Sequence, residues 1–209
     1  DILKSGRTIG VGSYGRYDEQ NDFVETFKTV KSTTAKVFNE NDKSFATIDY
    51  KGWKTWGKAV DLQSKLTIFN RDRFVKVDLN LNETLSGLCT GIVAFKGIPM
   101  KEAVSKNKKW GYIATYGNQT LFNDNLGMAV FYEVSTAEKP FEGPHDHLIS
   151  FKPSKEKITF YFLGAWEKEV GGIKSKEEFI QYLDANLNKL NKSNKLTHLT
   201  HIDWTSSNR

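Results

Sequence analysis

The segment from Val60 to Leu81 constrains the fold more than any other. Val60, Leu62, Leu66 and Ile68 alternate with Asp61, Gln63, Lys65 and Thr67, and after the polar run Asn70-Arg71-Asp72-Arg73 the pattern resumes. There Val75, Val77, Leu79 and Leu81 alternate with Lys76, Asp78 and Asn80. A period of two marks a strand with one buried and one solvated face. Two such arms around a polar connector predict a hairpin. Further stretches with strand character fall at 29–38, 44–52, 89–96, 109–116, 127–134, 145–152 and 157–164. With the hairpin arms they predict an all-β, antiparallel fold, either a sandwich or an open barrel.

One helix is signalled, over 175–190. Ser175-Lys176-Glu177-Glu178 has the form of a capping box, in which serine and glutamate satisfy free backbone donors at the helix start. Phe179, Leu183, Leu187 and Leu190 follow as one apolar stripe, which predicts an amphipathic helix lying on the sheet. Residues 1–190 thus read as a sandwich domain ending in this helix. Residues 191–209 read as a polar tail without a clear period.

Composition narrows the function. With 209 residues, 38% apolar and 13% aromatic, the chain can build a substantial core, which argues against disorder. No apolar run approaches the roughly 18 residues that a membrane span needs. Cys89 is the only cysteine, so an intramolecular disulfide and multi-cysteine metal sites are excluded; its apolar neighbours predict a small core residue. The net charge of +5 comes mainly from lysine, with five arginines among 30 basic residues. Bidentate base reading favours arginine, so no nucleic-acid partner is expected. A mild preference for acidic ligands such as uronates is compatible with this charge.

Several motifs compete for a functional reading. Gly10-Val11-Gly12-Ser13-Tyr14-Gly15 spells G-x-G-x-x-G, but it lacks the buried strand and the amphipathic helix that a dinucleotide site requires. A glycine-rich bend, where backbone passes close to a ligand or another strand, is the better reading. Beside it, Tyr14 and Arg16 offer a stacking face and a cationic fork. His145-Asp146-His147 opens a predicted strand, and residues two apart on a strand share a face, so both imidazoles could converge as acid or base. A four-histidine metal site would also need His198 and His201 from the tail. Trp53 and Trp56 are either core or a sugar-stacking platform, and so are Trp110 and Trp166. Glu167 follows Trp166 directly. Glu133, Glu142, Asp124 and Asp146 are further carboxylates with no sequence signal to pair them. No cofactor is implied, although loop carboxylates holding a structural calcium ion are compatible with the sequence.

The run Gly6 to Tyr17, then Tyr50-Lys51-Gly52-Trp53, then Phe162-Leu163-Gly164-Ala165-Trp166 before a capped helix resembles the second half of the bacterial family known as domain of unknown function 4861. The matching positions are Gly10, Gly12, Gly15, Trp53, His147-Leu148 and Gly164-Ala165-Trp166, and the likeness covers roughly residues 1–190. It implies a galactose-mutarotase-like supersandwich, export to the periplasm or the medium, and a place in polysaccharide degradation in Bacteroidota. It also implies that an N-terminal half of the same protein is missing from this chain. The expectation is a carbohydrate-active protein acting on uronate-containing polysaccharide fragments by lyase or hydrolase chemistry. In it His145 or His147 transfers a proton, Arg16 neutralises a uronate, and Trp53 and Trp166 stack the sugar, with Tyr14, Trp56 and Glu167 completing the binding surface. The alternative is a non-catalytic carbohydrate-binding or structural β-sandwich module.

Overall fold

The chain is described by a computed structural model covering residue 3, residues 8–70 and residues 72–196. His198, His201 and most of the polar tail lie outside the described residues, as does Arg71. Thirteen strands and one helix are formed among the described residues. The strands are β1 (Val11–Asp18), β2 (Phe23–Glu25), β3 (Ser32–Asn39), β4 (Lys43–Thr55), β5 (Lys58–Phe69), β6 (Phe74–Leu81), β7 (Leu88–Val93), β8 (Lys101–Val104), β9 (Trp110–Asn118), β10 (Asn125–Glu133), β11 (Phe141–Glu142), β12 (Asp146–Ser150) and β13 (Ile158–Trp166). The helix is α1 (Lys176–Ser193).

The alternating segment folds as the β5–β6 hairpin, with Leu62 opposite Leu81 and Leu66 opposite Val77. It belongs to an eight-stranded sheet of order β3-β4-β5-β6-β13-β10-β9-β8, which faces a five-stranded sheet of order β11-β12-β7-β1-β2. All the paired strands are antiparallel. The fold is an all-β antiparallel sandwich with one C-terminal helix.

Two cores explain the sequence patterns. Val77, Leu79, Ile92, Ile113, Val130 and Phe160 fill the space between the sheets. Tyr112, Phe131, Tyr161 and Leu163, on the opposite face of the large sheet, pack against Phe179, Leu183, Leu187 and Leu190 of α1. Strands β9, β10 and β13 are therefore buried on both faces and read as nearly continuous apolar runs, whereas β5 and β6 alternate. The helix begins as its capping box predicts: the Ser175 hydroxyl accepts from the Glu178 N–H at 3.1 Å. The Glu178 carboxylate accepts from the Lys174 N–H, one residue before the Ser175 N–H that a reciprocal box would use. It ends at Asn194, whose left-handed backbone (φ 59) lets its N–H reach the Leu190 carbonyl. Gly127 beneath Phe179 is glycine because a Cβ there would come within 2.6 Å of the ring.

Each of the nine predicted stretches holds a strand, and four strands escaped the sequence reading. β2, β8 and β11 span only three, four and two residues, too short for alternation to show. The fourth corrects an expectation, because the glycine-rich run forms strand β1 instead of a bend. Gly12 (φ +67) shifts the β1–β7 register between Val11 and Tyr14. A Cβ on it would lie 2.1 Å from the Phe162 ring, so only glycine lets β1 cross β13 this closely. Cys89 is buried between Ile9 and Leu148 on the outer face of the small sheet, and burial pushes its thiol pKa up.

Candidate functional site

Arg16 lies on β1 opposite Leu88, on the face of the small sheet that looks toward the first core. It is only 8% exposed, and its burial is matched by acceptors. Nε donates to the Ser86 carbonyl at 2.9 Å and Nη1 to the Thr55 carbonyl at 2.9 Å. A longer contact of 3.5 Å joins Nη2 to the Ser86 hydroxyl. Burial lowers the guanidinium pKa, while the negative charges of Glu25 and Asp18 oppose that shift. Glu25 is opposite Arg16 on β2 and accepts from the Thr55 hydroxyl at 2.5 Å. The arginine thus ties β1 to the tip of the β4–β5 hairpin.

That tip carries the most unusual backbone near the site. Thr55 pairs with Lys58, leaving Trp56 (φ 39) and Gly57 (φ 74) as a two-residue turn with both φ values positive. Such turns favour Asn-Gly or Asp-Gly, and a bulky residue in the left-handed region costs about 1–2 kcal/mol. Trp56 nevertheless stays 41% exposed. Its ring lies 4.4 Å from the Arg16 guanidinium carbon, so the arginine backs one face of the indole. Indole and arginine together line a cavity of about 670 Å³, with Asp18, Gln20, Asn21 and Ser86 supplying polar groups. The Asp18 carboxylate accepts from the Gln20 and Asn21 backbone and from the Asn21 side chain, which lowers its pKa.

The other aromatic candidates occupy different places. Trp53 is 0% exposed; it sits opposite Val60 and packs on Phe27, which stacks on Tyr50 at 3.9 Å. It has no face to offer a ligand. Tyr14 is also buried: its hydroxyl donates to Ser64 at 2.6 Å, and burial raises its pKa. Trp110 is core, with its indole N–H on Asn194 at the end of α1. Trp166 is partly buried against the first core. Glu167 is committed to structure, since both its carboxylate oxygens accept from Asn125, one from the backbone and one from the side chain, each at 3.0 Å. Neither Trp166 nor Glu167 lines the Trp56 cavity.

The two histidines do not converge. β12 begins at Asp146, so His145 precedes the strand and is exposed. His147 is 4% exposed and lines a separate cavity of about 460 Å³ with Lys96 and Glu142. Burial lowers its pKa, and its Nδ1 lies 3.8 Å from a Glu142 oxygen. Asp146 between them is buried, with Oδ1 accepting from the Ile9 N–H at 2.9 Å; desolvation pushes its pKa up to about 6. His147 is opposite Ile92 and Arg16 is opposite Leu88, one strand to either side of β7. Four residues along and two strands across place their backbones about 16 Å apart.

A family model described as Domain of unknown function (DUF4861) matches residues 1–195. The chain belongs to the DUF4861 family. No curated protein and no solved structure matches it. Within this DUF4861 chain the sequence reading named Arg16, Trp56 and His147 but missed the groups around them. Thr55 and Ser86 hold Arg16 chiefly through their backbone carbonyls, which carry no sequence signal. Glu142 stood among unpaired carboxylates until β11 set it beside His147. The turn signal of Trp56-Gly57 between two alternating strands was present and marks the exposed tryptophan. Among the described residues no group of three or more His, Cys, Asp or Glu is placed to hold a metal ion. No helix among them is long and apolar enough to cross a membrane.

Proposed function

We propose that this chain binds carbohydrate at the Trp56–Arg16 cavity, stacking the apolar face of a sugar ring on the indole. The carrying observation is Trp56 itself, an exposed tryptophan held in a left-handed turn with a buried arginine behind it. Stability alone favours a small polar residue at that turn position, and strain kept in a cavity wall is a mark of function. Asp18, Gln20, Asn21 and Ser86 would then meet the hydroxyls around the ring.

The cavity's charge refines the ligand. Asp18 and Glu19 line it, and much of the Arg16 donor capacity is taken by carbonyls of the chain. Sugar hydroxyls suit this surface better than a uronate carboxylate does. The binding-module reading asks only for this cavity. The enzymatic reading, lyase or hydrolase action on uronate-containing fragments with proton transfer at His145 or His147, asks a polymer to reach across about 16 Å of sheet. Export, polysaccharide breakdown and a mutarotase-like ancestry belong to the same proposal.

Trp56→Asn tests it. The left-handed strain of about 1 kcal/mol is relieved while a cation–π contact of similar size is lost, so unfolding free energy should change by less than about 1 kcal/mol. Retardation in gels containing neutral polysaccharide should meanwhile weaken about tenfold or more. Equal retardation of the two proteins sinks the proposal.

A further inference from the structure

We infer that the cavity around His147 is a second ligand site, built for a neutral polyhydroxylated ligand such as a terminal sugar ring. The ligand class rests on the carbohydrate reading above; the site itself rests on its own geometry. His147 is 4% exposed and is aimed inward by β12, yet neither ring nitrogen has a hydrogen-bond partner within the described chain. A buried polar group left in that state costs stability, so the imidazole is kept there against the interest of the fold. Burial favours its neutral form, which presents one N–H donor and one lone pair.

The neighbours complete a matched set. Glu142 is opposite His147 in the β11–β12 register, and its carboxylate only accepts. The turn that carries it is closed by the Gly143 N–H donating to the Asp146 carbonyl at 2.8 Å. Lys96, exposed on the segment after β7, only donates. One group that accepts, one that donates and one that does both suit adjacent hydroxyls, each of which donates and accepts. Phe95, Ile98 and Pro99 form an apolar wall for the C–H face of a ring. The two rim charges are opposite, so the cavity does not select an ion: Glu142 repels a carboxylate, and Lys96 repels an ammonium. His147 lies about 16 Å of sheet from Arg16, and its cavity shares no lining residue with the Trp56 cavity, so the molecule would hold two saccharide units independently.

Nuclear magnetic resonance on the isotopically labelled full chain separates the two sites. The probes are lactose, cellobiose and digalacturonate. The His147 ring C–H signals should shift saturably with at least one neutral disaccharide, and should do so equally in Trp56→Ala. Glu142→Gln and Lys96→Ala alter exposed rim side chains that the fold does not need, and each should weaken this binding about tenfold. A Trp56 indole signal that shifts while His147 stays still overturns the second site and leaves the first. A His147 shift with an unmoved indole supports the second site and overturns the Trp56 reading. If neither moves, both fall. Tighter binding of digalacturonate than of either neutral sugar at His147 overturns the assignment to a neutral ligand.

Discussion

The two ends of the small sheet each bury an ionisable side chain on the same face, and they treat it in opposite ways. At one end Arg16 donates to acceptors from β4 and from the segment before β7, with the charge of Glu25 on β2 nearby. At the other, His147 is buried as deeply with no hydrogen bond among the described residues, beside an aspartate whose carboxyl accepts from the Ile9 N–H. A buried charge with satisfied donors is an anchor that the fold needs. A buried polar group without partners is a cost that the fold tolerates; the Trp53 indole nitrogen in the core is in the same state, so at His147 it is the adjoining cavity that points to a ligand. On the proposed reading Arg16 backs the Trp56 ring and lines the same cavity, whereas His147 lines the second cavity.

The largest effect that could break this contrast is at Arg16. Arg16→Met keeps the length and apolar stem but strips the donors from the Ser86 and Thr55 carbonyls and leaves Glu25 without its buried counter-charge. The expected loss is about 3 kcal/mol, read from urea unfolding at neutral pH. A loss below about 1 kcal/mol would mean that the hydrogen bonds are replaced by solvent and that Arg16 is no anchor.

An effect of similar size is expected at Asp146, and it depends on pH. Its carboxyl titrates near 6 in the folded chain against an ordinary value of 3.8. Between those values the folded state holds more protons than the unfolded one, so stability falls as pH rises through that window. The full loss is about 3 kcal/mol and is complete above roughly pH 6. Asp146→Asn keeps an oxygen for the Ile9 N–H and removes the titration. Its unfolding free energy should exceed that of the parent at pH 7 and match it near pH 3.5. A parallel pH profile for the two proteins would show that Asp146 is solvated.

Much of this architecture was legible because it depends on local period. The alternation at 60–81 and the stripe Phe179, Leu183, Leu187, Leu190 named a hairpin and a helix that the structure contains. Strand β1 was not legible, because its glycines break the apolar alternation and one of them is there to clear Phe162 across the sandwich. The site was half legible. Arg16 and Trp56 stand 40 positions apart, and only the packing of the β4–β5 tip against β1 brings them to 4.4 Å. Trp53 and Trp56 look alike in sequence, yet one faces Val60 within the ladder and the other sits in the turn. The shared-face rule for His145 and His147 failed for a similar reason: it holds only inside a strand, and β12 starts one residue too late.

The smallest expected effect has the opposite sign, which makes it the sharpest test of the comparison. His147→Leu fills a similar volume, leaves Glu142 exposed to solvent and removes two buried nitrogens that have no partner among the described residues. If the imidazole is a tolerated cost, unfolding free energy should rise by about 1 kcal/mol, the lower end of what an unsatisfied buried polar group takes away. Arg16→Met and His147→Leu would then move stability in opposite directions although both replace a buried ionisable side chain with an apolar one. A gain in stability with a loss of ligand at the His147 cavity is the signature of a residue retained for binding. A loss of stability would instead make His147 a structural residue, with its nitrogens paired in solution, and the two ends of the sheet would be alike after all.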